Sequence, residues 1–187
     1  IEMKVPKLEL IVSKDGYRPA LKYILVTKEK VMATEAHILV QFDTSIFFSE
    51  SFIEGIPKEG FYLQPQDWKM IRESQTDIFT SLPVSWHSEN IILVGLGSDA
   101  RVVKTLSIEL TGKPVDFIAV WNKVNKEKTD SFIVDTKFLN LLHRCLGVGS
   151  VGSRTFELNN EGHYLKVKAS AGYSADQYGV LIATCLV

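Results

Sequence analysis

Ser85, His87 and Glu89 stand at alternate positions of a predicted strand, which puts their side chains on one face. A hydroxyl, an imidazole and a carboxylate have the types of a hydrolytic trio. The same alternation is what any half-exposed strand shows, so a hydrolase on an α+β scaffold is the most distant of the functional readings. The four histidines, His37, His87, His143 and His163, are scattered, and none stands at metal-ligand spacing from another His, a Cys or a carboxylate. No metal site is expected. Gly95-Leu96-Gly97 and Gly147-Val148-Gly149 match neither a phosphate loop nor a dinucleotide fingerprint in strand-to-helix context, and both read as turns. Cys145 and Cys185 lie far apart beside leucines and read as small buried hydrophobes rather than a bridge or a metal pair. The chain therefore reads as non-enzymatic, with no catalytic residues and no cofactor.

Charge carried on helices is the chemistry that remains. Over Thr136 to Leu146, Lys137, Asn140 and Arg144 recur at spacings of three and four, while Phe138, Leu141, Leu142 and Cys145 form the opposite stripe. In a second predicted helix, which starts near Pro65, Lys69 and Arg72 are three apart and Trp68 and Ile71 are available for burial. Two readings stand. These are ordinary solvated faces, or they meet phosphate, in which case a few long cations give weak, salt-sensitive contact.

The elements that must position these residues follow from pattern. With 187 residues, 45% hydrophobic and 23% charged, the chain is ordinary for a globular protein and long enough for one large or two small domains. A formal charge of −1 argues against a wholly basic nucleic-acid binder but permits a basic face balanced by an acidic one. No run reaches the roughly 18 apolar residues of a membrane span, and no secretion-signal pattern opens the chain, so a cytoplasmic location without membrane attachment is the default expectation. The chain starts at Ile1, which leaves an upstream segment open.

Two segments repeat one order, β-α-β-β. The first has a strand at Phe61 to Leu63, a helix from Pro65, strands at Leu82 to His87 and Asn90 to Leu96, then Arg101 to Leu110 and a Gly112/Pro114 break. Pro65 suits a first helical turn and Asp67 its positive end. The second has a strand at Ser131 to Val134, an N-cap at Asp135, the helix to Leu146, a stop at Gly147, a strand at Arg154 to Leu158, a turn at Asn159 to Gly162 and a strand at His163 to Ala169. Lys123 to Asp130 is a polar linker between them. From Ile1 to Phe52 strands alone are expected: Leu8 to Val12, a turn at Lys14-Asp15-Gly16, Leu21 to Val26, a turn at Lys28-Glu29-Lys30, the run from Val31, and Ile46 to Phe48.

That run from Val31 ends in Met32-Ala33-Thr34-Glu35-Ala36-His37-Ile38-Leu39. The stretch resembles a signature of bacterial DNA polymerase sliding clamps, in which a strand and a turn lead into a segment of the form Ala-Thr-Asp-Gly-His-Arg-Leu. Ala33, Thr34, His37 and Leu39 match that form and Glu35 nearly does. Ala36 and Ile38 depart from it, so this copy need not keep the family's local backbone or polar contacts. Pro114-Val115-Asp116-Phe117, with the linker, helix and strands after it, resembles the crossing from the middle to the last domain of a clamp subunit. Tyr178 to Leu186 resembles the apolar tail that ends those subunits, without its proline and arginine.

The resemblance implies a shortened, divergent relative with a DNA-clamp-like α+β fold of repeated β-α-β-β units, antiparallel sheets and few helices. It divides the chain into 1–113, a clamp-like domain lacking its first helix, and 114–187, a second, shortened one. It implies helices lining a hole around duplex DNA, with Lys69, Arg72, Lys137, Asn140 and Arg144 facing the duplex without regard to sequence, and sheets joined edge to edge in a homo-oligomer. It implies a pocket for a polymerase or other client peptide, formed by Thr34, His37 and Leu39 with Val180, Leu181 and Ile182. Read from the residues alone, these last positions are equally core strand residues and His37 a satisfied histidine. A clamp-fold scaffold for protein assembly without DNA remains the alternative function.

Overall fold

Alternation of side chains along short apolar strands builds the larger of two sheets. The computed structural model describes residues 5–14, 18–76, 81–111, 116, 133–146, 156–161, 164–169 and 178–183. The hairpin strands β1 (Ile24–Val26), β2 (Lys30–Thr34) and β3 (Ile38–Asp43) pair antiparallel, and β4 (Phe61–Leu63) adds to β1. Ile24, Val26, Val31, Ala33, Ile38, Val40, Phe42, Phe61 and Leu63 enter the main apolar core, while the residues between them, Leu25, Met32, Leu39 and Tyr62, form a second buried cluster. A period of two is what separates the two sets. Thr27 closes the first turn, its Oγ1 accepting from the amide of Lys30 at 2.9 Å.

Three helices are described. α1 (Glu50–Glu54) is a single turn capped by Ser49. α2 (Pro65–Glu73) starts on proline at its first position, as its sequence predicts, and buries Trp68 and Ile71. α3 (Thr136–Cys145) is capped by Asp135, whose carboxylate accepts from the amide of Lys137 at 2.9 Å, and buries Phe138, Leu142 and Cys145. The expected cap and stripe are both present. After α2 comes a small antiparallel sheet, β5 (Val84–Ser88), β6 (Ile91–Val94) and β7 (Arg101–Lys104). After α3 come β8 (Phe156–Glu161), β9 (Tyr164–Ala169) and β10 (Tyr178–Ala183). Each of these two helices is thus followed by an antiparallel meander of three strands; the third strand of the first was expected from Arg101, and the third of the second lies in the apolar stretch from Tyr178.

The second meander completes the large sheet, in the order β4-β1-β2-β3-β10-β9-β8. Because β10 pairs with β3, one sheet joins strands from either side of the boundary expected at 113/114, and residues of α3 share one core cluster with Leu8, Trp68 and Ile92. The core is thick with aromatics. Trp68 meets Phe47 and Phe48 edge-on, and Phe52 stacks on Trp86 with ring centroids 5.0 Å apart.

Several expected strands are turns instead. Leu8–Leu10 and Thr44–Ile46 form 3-10 turns, as does Pro19–Lys22, so β1 begins only at Ile24. Leu8 and Ile11, three apart, share one buried side, and the amides of Phe47 and Phe48 both donate to the carbonyl of Thr44. Burial from every direction removes the alternation that would mark a strand. The strand expected over Arg101 to Leu110 ends at Lys104, and Ile108–Thr111 is another 3-10 turn. Asn159 to Glu161, expected in a turn, belong instead to β8, which pairs Glu161 with Tyr164. Cys185, His163, the linker Lys123 to Asp130, and the stops at Gly112, Pro114 and Gly147 lie outside the described residues.

Candidate functional site

The signature segment sits at the tip of the β2–β3 hairpin, where a bend of three residues must be satisfied locally. Thr34 Oγ1 donates to the carbonyl of Ile38 at 2.7 Å and accepts from the amide of Ala36 at 3.2 Å. Glu35 accepts from the amide of His37 at 3.0 Å. Between them Ala36 holds φ at +88°, the left-handed region that favours glycine. A residue other than glycine thus occupies this region at the hairpin tip. Its side chain is strained there.

The six residues expected to form a peptide pocket lie on β2, β3, β10 and the hairpin tip. Leu39 lies in the second buried cluster with Leu25, Met32 and Tyr62, and Thr34 pairs with it across the hairpin. The β3–β10 register sets Leu181 opposite Leu39, with Val180 and Ile182 opposite Val40 and Ile38. His37 stands at the hairpin tip, directly before β3. Its exposed ring stacks on Phe138 of α3 with centroids 5.5 Å apart, and its Nδ1 lies 3.2 Å from Glu35. Glu35, Phe138, Met32 and Tyr62, none of them predicted, are the neighbours that define where these residues go.

On the helices the five expected DNA-facing residues also divide. Lys137, Asn140 and Arg144 are exposed along α3, as is Lys69 on α2. Arg72 is not. Its side chain is only 16% exposed, and its guanidinium donates to Glu9 at 2.7 Å, so it is held by a partly buried ion pair. Lys69 faces Glu73 one turn on at 3.9 Å, and Lys137 meets Asp135 at 2.9 Å. The amide and ammonium of Lys137 hold the Asp135 carboxyl below its ordinary value, which keeps the carboxylate charged. Arg144 has no ion-pair partner among the described residues.

The two helices dock on one short segment. The carbonyl of Pro6 accepts from Trp68 Nε1 of α2 at 2.9 Å, the amide of Lys7 donates to the carbonyl of Cys145 of α3 at 2.7 Å, and Glu9 holds Arg72 of α2. Residues 6–9 thus bridge α2 and α3. They also bring the exposed Lys7 to the C-terminal turn of α3, a cation that sequence spacing could not have associated with that helix. Cys145 is fully buried there, and burial pushes its thiol well above the ordinary range, in keeping with a packing role.

Elsewhere the chemistry is sparse. Ser85, His87 and Glu89 are all exposed, and a bulge at His87 breaks the strand alternation that would have aligned them. No hydrogen bond joins any two of them. Gly95 and Gly97 take φ of +109° and +64° and make a turn, as expected. Among the described residues no three His, Cys, Asp or Glu side chains group as a metal site, and no helix is long and apolar enough to cross a membrane.

Two helices, each followed by an antiparallel meander, one meander forming its own sheet and the other completing the seven-stranded sheet, make an α+β fold of the DNA-clamp class. Comparison with solved structures agrees. The chain is similar to the DNA polymerase III beta subunit of Thermotoga maritima, with a TM-score of 0.61 at 10% identity, covering 97% of this chain and 61% of that one. It is similar to a putative beta subunit from Eubacterium rectale, with a TM-score of 0.60 at 8% identity over 99% and 62% of the two chains. It is likewise similar to the beta subunit of Borrelia burgdorferi, with a TM-score of 0.60 at 11% identity over 100% and 63%. No family model matches the sequence, and neither does any curated protein. The likeness is one of fold, and the chain spans less than two thirds of the length of these beta subunits.

Proposed function

We propose that this chain is a non-enzymatic, clamp-type processivity factor that encircles duplex DNA as a homo-oligomer in the cytoplasm and docks a polymerase or other client peptide. The observation that carries the reading is the shared mounting of α2 and α3 on residues 6–9, with Lys69, Lys137, Asn140 and Arg144 exposed on them. Cations fixed on neighbouring rigid helices suit contact with a phosphate backbone that carries no sequence information. The clamp fold supports the same reading, although fold alone does not assign function. The client site in this reading is Thr34 and Leu39 beside the β3–β10 pair, with His37 acting from the hairpin tip against α3.

A clamp-fold scaffold that assembles proteins without DNA is the second reading. It is favoured by one feature: Arg72 is occupied by Glu9, and Lys69 and Lys137 each have an acid at hand. Fluorescence anisotropy of a duplex oligonucleotide, titrated with the protein at several salt concentrations, separates the two. A processivity factor gives binding whose logarithm falls linearly with log salt, and substituting Lys137 and Arg144 by alanine lowers the slope by about 0.9 for each phosphate no longer neutralised. A scaffold gives no binding at any salt concentration.

A further inference from the structure

We propose that Glu73 and Asp135 are attenuators of duplex contact, acidic side chains that hold back the cations of α2 and α3 so that the protein slides on DNA instead of gripping it. The inference rests on the DNA-encircling reading and deepens it. Lys69 and Glu73 are both more than half exposed and 3.9 Å apart on successive turns of α2. Lys137 and Asp135 are at least half exposed and 2.9 Å apart at the start of α3. Exposed pairs of this kind add little stability, because water screens the attraction and ordering two long side chains offsets much of it. Their larger effect is on a third charge. A phosphate that approaches Lys69 or Lys137 meets a neighbouring carboxylate at nearly the same range, so the local field is close to neutral.

Glu73 does this twice, since one of its oxygens is also 3.4 Å from Arg72, whose guanidinium is otherwise taken by Glu9. Asp135 has a second task as the cap of α3, which explains its position but not its charge, because asparagine caps a helix equally well. Arg144, with no acid partner among the described residues, is left as the strongest single contact. The arrangement has one anchoring cation and two restrained ones.

The test is the affinity of the full chain for a fluorescent duplex oligonucleotide, measured from low to high salt for the unaltered protein, Glu73→Gln, Asp135→Asn and Arg144→Ala. A unit charge about 7 Å from a phosphate in water changes an equilibrium by about threefold. Glu73→Gln and Asp135→Asn are each expected to tighten low-salt binding by about that factor, with the gain vanishing above about 1 M salt, where the screening length falls to about 3 Å. Arg144→Ala is expected to weaken it. Thermal unfolding of each variant shows that the helices remain, and Glu73→Gln, which alters no cap, guards against a local loss of α3. If Arg144→Ala weakens binding while both acid-to-amide variants leave it unchanged, attenuation is refuted and the DNA reading stands. If the unaltered protein and every variant fail to bind at low salt, the DNA reading falls and takes the attenuators with it.

Discussion

Replacing Ala36 by glycine is expected to stabilise the protein, which runs against the usual cost of glycine. Ala36 is exposed at the hairpin tip and holds φ at +88°, so the substitution removes no buried contact and relieves a backbone conformation that L side chains rarely adopt. Relief of a left-handed alanine is worth about 1–2 kcal/mol. Against it stands the greater freedom that glycine gives the unfolded chain, about 0.4–1 kcal/mol. The difference is a net gain of about 0.5–1 kcal/mol. In a domain of this size 1 kcal/mol moves the melting midpoint by about 2–4 °C, so an increase of roughly 1–4 °C is expected. Ala36→Val supplies the opposite sign, because a β-branched side chain fits the left-handed region worse than alanine does. Denaturant unfolding and calorimetry on the three proteins decide the matter. If Ala36→Gly lowers the midpoint, as it does at ordinary solvent-exposed positions, the strained tip is not a feature of the folded protein.

Glu9→Ala leaves Arg72 partly buried without its main partner and is expected to cost about 2–3 kcal/mol, while Glu9→Leu combined with Arg72→Met costs less than the sum of the single changes in denaturant unfolding. Gly55→Ala would place a Cβ 2.6 Å from Trp86 Cδ1 and Nε1, and the overpacking is expected to cost about 1–3 kcal/mol and to shift tryptophan emission as Trp86 loses its bond to the carbonyl of Phe52. The Asp135 carboxyl has a folded pKa below its ordinary 3.8, so its contribution to α3 is fully present above pH 3.8 and is lost as pH falls through the lower folded value. Helical content that falls first in this acid window for the natural protein, and not for Asp135→Asn, is the expected outcome in circular dichroism.

Elements that carry their own boundaries are legible in the chain itself. Asp135, the stripe of Phe138, Leu142 and Cys145, and Pro65 at a helix start each act within one or two turns of chain, and both helices form where they predict. The paired strands around Lys28 to Lys30 follow the same logic, as alternation and a polar turn are local facts. Elements set by tertiary surroundings are not legible in this way. The apolar runs at Leu8 to Val12 and Ile46 to Phe48 look like buried strands, because a short 3-10 turn packed on all sides shows the same composition. The single turn of α1 has only Ser49 to announce it.

At the site, local pattern places Lys69, Arg72, Lys137, Asn140 and Arg144 on helices but does not reveal their partners. Arg72 and Glu9 are 63 positions apart, so no periodicity shows that this arginine is occupied. His37 and Phe138 meet across an even longer interval, a contact that no local pattern shows. The register of β10 against β3 sets Leu181 beside Leu39, a long-range pairing that is reachable only through the family resemblance. Ala36 shows the reverse case, where an alanine conceals a left-handed backbone that a glycine would have announced.

Retention on closed circular duplex DNA compared with the same DNA linearised, at a salt concentration high enough to suppress ordinary ionic contact, tests encirclement most directly. An encircling assembly is expected to stay on the circle and to leave the linear form through its ends. Equal loss from both forms would contradict it.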